Sequence, residues 1–170
     1  MSNQVEQLEN SMVKIIACDL FDAPASVIAH QVNCLGVMGA GVARQIALRF
    51  PDVYMEYVHL CHQHRHDRKS LLGSNLSVCV TPDLMVANMF AQEGVGTSAV
   101  QTDYGALRAC MESLHDQTNA YDTIAMPYLI GCGLGGGDWN VVCQIIREEL
   151  SDRNVLICKL PKTKGEKSHG

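Results

Sequence analysis

The chain has 170 residues, 47% of them hydrophobic, which is enough for one packed domain and too few for two comfortable ones. A formal net charge of -5 excludes a protein that grips duplex nucleic acid or an anionic membrane electrostatically, since that requires clustered Lys and Arg. The eight cysteines are scattered singly, without a C-x-x-C pair, and fit buried free thiols in a reducing compartment better than a disulfide framework.

The first ten residues are polar and acidic and carry no secretory apolar core, so a cytoplasmic location, or a nuclear one in a cell with a nucleus, is expected. No apolar run approaches the length of a membrane span. A loose N-terminal segment over 1–12, a folded domain over 13–160 and a disordered Lys- and Gly-rich tail over 161–170 are the expected organisation.

Within the domain, Val13 to Cys18 reads as a β-branched strand that ends at Asp19-Leu20-Phe21 and is broken by Pro24. Ser26 to Val32 is a second strand, running into the glycine-rich stretch Asn33 to Gly41, after which Val42 to Phe50 reads as a helix stopped by Pro51. Val53, Tyr57, Leu60, Cys61 and His64 repeat at helical spacing. Leu76 to Val80 and Met85 to Phe90 are strands that pair as a hairpin-like unit around Pro82-Asp83. Glu93 to Gln101 is a loop, and Thr102 is the expected N-cap of a helix whose Leu107, Cys110, Met111 and Leu114 share one face.

Thr123 to Pro127 is a short buried strand, followed by the nine-residue loop Gly131 to Trp139 and a helix over Asn140 to Leu150 with Val141, Val142, Ile145, Ile146 and Leu150 on one face. Val155 to Leu160 supplies the last strand. Strands interleaved with helices predict an α/β fold with a largely parallel sheet covered on both faces, and a ligand site at the carboxyl ends of the strands where the two glycine loops meet.

Glycine loops between a strand and a helix expose backbone N–H groups to an anion, and the helix N-terminus adds partial positive charge. Gly131, Gly133 and Gly136 satisfy G-x-G-x-x-G, but that dinucleotide fingerprint belongs to a first βα turn with an acidic residue ending the next strand. Here the loop precedes the final helix, and the final strand ends in Lys159-Leu160. A phosphate held by backbone amides remains the expected guest.

Four stretches together resemble a known family: Cys18-Asp19-Leu20-Phe21, then His30-Gln31-Val32-Asn33-Cys34-Leu35-Gly36-Val37-Met38-Gly39-Ala40-Gly41-Val42-Ala43, then Pro127-Tyr128-Leu129-Ile130-Gly131-Cys132-Gly133, then Trp139. They are similar to a macro domain, most of all to the ADP-ribose-1''-phosphate phosphatase type and the terminal ADP-ribose protein glycohydrolase. The resemblance implies a three-layer α/β/α fold with a mixed, mostly parallel sheet and ADP-ribose lying across the strand ends. No cofactor and no metal are implied; ADP-ribose or a derivative, and an ADP-ribosylated protein or nucleic acid, are the implied partners.

By position, the resemblance gives Asp19 the adenine amino group and Leu20 backbone contacts to the ring, with Leu160 nearby. Asn33 would bind the distal ribose; Gly39, Ala40, Gly41 and Val42 would line one side of the pyrophosphate, and Leu129, Ile130, Gly131, Cys132, Gly133, Leu134, Gly135 and Gly136 the other. The lysine adduct of the terminal glycohydrolase has no counterpart, because no lysine occurs between Lys69 and Lys159 and Gly135 stands where that enzyme carries its aspartate.

Candidate catalysts are therefore His30, able to activate water or protonate a leaving oxygen, and Asp138, whose competing role is a helix N-cap. The enzyme readings are removal of a 1''-phosphate or hydrolysis of an ADP-ribosyl link; the alternative is a reader that binds without turnover. Cys34 reads as a packed thiol rather than a nucleophile, and the run His59 to His66 as an exposed helix end rather than a metal site.

Overall fold

The computed structural model describes residues 12–96 and 98–162; the expectations for 1–11 and 163–170 lie outside them. Among the described residues six strands form one sheet: β1 (Val13–Ala17), β2 (Val27–Asn33), β3 (Asn75–Thr81), β4 (Leu84–Gln92), β5 (Thr123–Pro127) and β6 (Asn154–Lys159), in the order β1-β6-β5-β2-β4-β3. Every neighbouring pair is parallel except β3 and β4, which form the expected antiparallel unit.

Among the described residues four α-helices cover the sheet: α1 (Gly41–Arg49), α2 (Pro51–Gln63), α3 (Tyr104–Gln117) and α4 (Trp139–Glu149). Pro51 ends one helix and begins the next, because it lacks the N–H that would continue α1 and fits the first position of α2. On one face, Leu107, Met111 and Leu114 of α3 and Val142, Ile145 and Ile146 of α4 pack on Val27, Ala29 and Met89. On the other, Ile46 of α1 and Val53, Tyr57 and Cys61 of α2 pack on Ile28, Val32 and Phe90. Alternate residues of β2 and β4 feed opposite cores, which is why these central strands carry apolar residues on both faces, interrupted by His30, Gln31 and Asn88, and yield three layers.

Two details depart from expectation. β4 runs to Gln92, two residues past the expected Phe90, and so carries a polar side chain to the strand-end region. The N-cap of α3 is Asp103, whose carboxylate accepts from the Ala106 amide at 2.9 Å, and not Thr102. Thr102 is buried, and its hydroxyl is engaged with the second glycine loop instead.

Candidate functional site

Both glycine loops leave the carboxyl ends of central strands. The first follows β2 and is shaped by Asn33: its Oδ1 accepts from the Leu35 amide (3.0 Å), the Val37 amide (3.3 Å) and the buried Tyr57 hydroxyl (2.8 Å), and its Nδ2 donates to the Val37 carbonyl (2.7 Å). The side chain expected to bind a distal ribose is thus spent largely on its own loop, with one Nδ2 hydrogen left for a ligand. Gly36 takes φ +83° within the turn. At the loop's end Ala40 caps α1 with no side-chain hydrogen bond, so the amides of the first helical turn stay open to an anion.

The second loop, after β5, is tied down from below. The Thr102 hydroxyl donates to the Gly131 carbonyl at 2.7 Å and accepts from Gln31 Nε2 at 2.8 Å. Gln31 Nε2 also donates to Gln92 Oε1 at 2.8 Å, while the amides of Gln101 and Thr102 donate to the Gly135 carbonyl at 2.8 and 3.1 Å. Glycine is required where the loop passes over these groups: a Cβ on Gly135 would lie 2.5 Å from Thr102 Oγ1 and 2.7 Å from the Gly131 carbonyl oxygen. Gly133 meets nothing within 4 Å. The amides of Gly133, Leu134 and Gly135 have no acceptor among the described residues, which makes an anion-binding nest. Leu129 holds φ +61°, rare for a branched side chain, where the loop begins.

Between the loops lies a cleft of ≈ 430 Å³ whose lining includes Gly39 to Ala43 on one side and Leu129, Ile130, Gly131, Gly133, Leu134 and Gly135 on the other. A second pocket of ≈ 320 Å³ adjoins it, lined by Asp19, Leu20, Phe21, Gln45, Cys158, Lys159 and Leu160; Val42, Pro127 and Tyr128 line both, so the two form one trough. Asp19 Oδ1 accepts from the Phe21 amide at 2.9 Å, capping a turn of 3-10 helix that presents Leu20. Lys159 Nζ lies 4.6 Å from the Tyr128 ring centroid, a cation-π contact at this end.

No Lys, Arg, Asp or Glu among the described residues lines the larger cleft. His30 does line it, from the middle of β2, and is 1% exposed. Its Nε2 is 2.6 Å from Asn88 Oδ1, and desolvation by burial pushes its pKa down to about 4 against that hydrogen bond. The imidazole is neutral at pH 7, which leaves it a hydrogen-bonding base and removes the role of proton donor considered from the sequence.

Asp138 sits apart from both pockets: its Oδ1 accepts from the Asn140 amide at 2.8 Å, the N-cap role, and its own amide donates to the Tyr104 hydroxyl. The sheet ends therefore gather His30 with the loops and leave Asp138 outside. Cys132 and Gly136 also fall outside the lining; Cys132 turns its thiol to the Ile130 carbonyl, and a Cβ on Gly136 would meet Val100. Burial raises the Cys34 thiol to about 12, so it stays protonated. Among the described residues no three His, Cys, Asp or Glu side chains converge as metal ligands.

The sequence did not single out Gln31, Gln92, Thr102 or Tyr57 as site residues. The one available signal was a polar residue, Gln31, inside an apolar strand.

The macro domain family model matches residues 29–146. The ADP-ribose 1''-phosphate phosphatase of Meyerozyma guilliermondii is 40% identical over 67 residues, 38% of this chain and 38% of that protein. The protein of the same name from Scheffersomyces stipitis is 33% identical, with 86% of this chain and 99% of the relative covered. The chain matches only about two fifths of the Meyerozyma relative's length. Among solved structures, the macrodomain of Thermus aquaticus DarG superposes with a TM-score of 0.70 at 25% identity, over 86% of this chain and 97% of that one.

Proposed function

Because the chain belongs to the macro domain family, we propose that it binds ADP-ribose along the trough and hydrolyses a group from the terminal ribose, either a 1''-phosphate or an ADP-ribosyl link to protein or nucleic acid. The observation that carries this reading is the pair of amide cradles facing each other across a cleft without charged side chains, continuous with a pocket headed by Asp19. A pyrophosphate between the cradles would accept from the amides at the start of α1 and from those of Gly133, Leu134 and Gly135. Backbone dipoles fixed in advance hold such charge without reorganising. In this placement the adenine lies at Asp19 and Leu20, and the terminal ribose at the end formed by His30, Asn33 and Gln92.

The chain's residues bind and orient the substrate while water attacks the anomeric carbon or the phosphorus and the leaving oxygen takes a proton. A lysine adduct plays no part, since Lys159 lines only the Asp19 end of the trough. Of the two candidate catalysts, His30 has the position to assist and Asp138 does not. The same cleft favours a second reading, an ADP-ribose reader, on a specific ground: none of its side chains combines contact with the ligand and a pKa near 7. The eight free thiols support a reducing, cytoplasmic or nuclear setting for either role.

The two readings separate on incubation with ADP-ribose 1''-phosphate and with an ADP-ribosylated protein, following release of phosphate and of ADP-ribose. The enzyme reading predicts release of one product, lost in His30→Ala and kept in Asp138→Ala. Tight binding with no release from either substrate leaves the reader.

A further inference from the structure

The run His59 to Lys69, which lines neither pocket, holds three Lys/Arg and four of the chain's seven histidines against a single acid, Asp67. It covers the last turn of α2 and enters the 3-10 turn Arg68–Leu71. His59, His62, Arg65, His66, Arg68 and Lys69 are exposed, whereas the half-buried His64 sets its Nδ1 3.0 Å from the Leu60 carbonyl. Arg65 spends one Nη1 donor on the His62 carbonyl at 3.0 Å and keeps its others. Arg65 and Arg68 form no ion pair among the described residues, and Lys69 meets Glu93 only at 3.9 Å with 75% of its side chain exposed. So long and wet a pair contributes little, which leaves all three cations open to an outside anion. Two contacts set this surface beside the cleft. A Cβ on Gly36 of the first loop would lie 3.4 Å from Cys61 Cβ, so that loop rests on the last turn of α2. The Cys34 amide donates at 3.1 Å to the carbonyl of Glu93, the residue Lys69 meets and the one that follows Gln92 of the cleft lining.

We propose that this surface docks a single strand of nucleic acid that carries the ADP-ribosyl group, with phosphates on Arg65, Arg68 and Lys69 and unpaired bases against the imidazole faces of His62 and His66. In the placement given above, the terminal ribose lies at the end formed by His30, Asn33 and Gln92, so the group linked to it leaves the cleft on this side. A nucleic-acid strand brings one negative charge with every nucleotide, and its unpaired bases stack on imidazole, a contact that an acidic polypeptide does not return. Three cations are too few to hold a strand unaided, in keeping with the net charge of -5. Anchored through ADP-ribose, the strand meets them at high effective concentration, and a few contacts suffice.

The inference rests on the ADP-ribose reading and, of the substrates left open there, chooses the link to nucleic acid. Its test is titration of the full chain with three probes: free ADP-ribose, ADP-ribose joined at C1'' by an uncleavable C-glycosidic bond to a single strand of about six nucleotides, and the same group joined to an acidic peptide of equal net charge. At about 50 mM salt the strand conjugate should bind at least about tenfold more tightly than ADP-ribose, with a plot of log affinity against log salt steeper by about 2, roughly 0.7 for each of three phosphate contacts. The peptide conjugate should gain no more than about threefold, having no bases to stack. Arg65→Gln/Arg68→Gln/Lys69→Gln should lose the gain and the added slope while keeping its affinity for free ADP-ribose within about twofold, which also shows that it folds. His62→Ala/His66→Ala should lose at least about threefold of the gain. If the triple variant does not fold, Arg68→Gln decides, with about a third of the added slope expected to go. A strand conjugate no tighter than ADP-ribose, a gain that survives loss of the cations or of both imidazoles, or an acidic peptide that gains as much overturns the inference. Failure of wild type to bind free ADP-ribose overturns instead the reading beneath it.

Discussion

By the resemblance to the terminal glycohydrolase, Gly135 takes the place of an aspartate, and the structure gives the reason a side chain does not fit there. A Cβ at this position would approach Thr102 Oγ1 to 2.5 Å, the Gly131 carbonyl oxygen to 2.7 Å and Gln31 Nε2 to 3.0 Å. None of these can swing aside cheaply, because Thr102 and Gln31 are bonded to each other and to the loop or to Gln92. Gly135→Ala should therefore cost about 2 kcal/mol, within the ordinary range for overpacking, and lower Tm by roughly 4–8 °C. Gly133→Ala is the control, since its Cβ meets nothing within 4 Å, and a strain-free Gly→Ala change stabilises by about 0.4–1 kcal/mol. Thermal unfolding of both variants against wild type is the assay. If Gly135→Ala melts with Gly133→Ala, to within about 1 °C, the loop is not pinned as described. The same crowding predicts that Gly135→Asp will not create a lysine-type hydrolase.

Thr102→Val removes the donor to the Gly131 carbonyl while keeping the shape, and should cost about 1–3 kcal/mol and weaken ADP-ribose binding; Thr102→Ser should restore both, as read by chemical denaturation and calorimetry. Full recovery of affinity in the valine variant would refute the latch. For His30, the folded pKa of about 4 lies below the ordinary histidine value of 6.5, so the unfolded chain takes up a proton first as pH falls. Stability from this group is complete above pH 6.5 and drains away as pH falls toward 4, amounting to a loss of about 2 kcal/mol at pH 5. Urea unfolding at pH 7 and pH 5 should show that difference in wild type and lack it in His30→Gln; an equal difference in both assigns the effect elsewhere. Tyr57→Phe strips the hydroxyl that donates to Asn33 Oδ1 and should loosen the first loop by about 1 kcal/mol, seen as a lower Tm and weaker ADP-ribose binding; unchanged values would remove Tyr57 from the loop's support.

Much of this architecture was legible before any coordinates. β2 and β5 carry apolar residues on both faces because both faces of the sheet are buried, and Pro51 marks the junction of α1 and α2 without ambiguity. The two loops announced themselves as glycine clusters between a strand and a helix, and the cleft lies between them. What local pattern does not encode is which partner a polar side chain meets across the sheet. Thr102 and Asp103 are both good N-caps, and the choice between them falls to Gly131, 29 residues away in sequence, which takes the threonine hydroxyl. Asn33 read as a ligand contact through the family resemblance, yet Leu35, Val37 and Tyr57 absorb most of its hydrogen-bonding capacity. His30 and Asp138 were both candidate catalysts on residue type; burial and register separate a residue in the cleft from one that caps α4.

The central claim is that the amide cradles of the two loops hold the pyrophosphate of ADP-ribose, and calorimetric titration of the protein with ADP-ribose tests it most directly. Wild type should bind with one-to-one stoichiometry, and Gly133→Glu, which projects a like charge into open cleft, should abolish the heat of binding while remaining folded. No binding by wild type, or unchanged affinity in Gly133→Glu, would contradict the account.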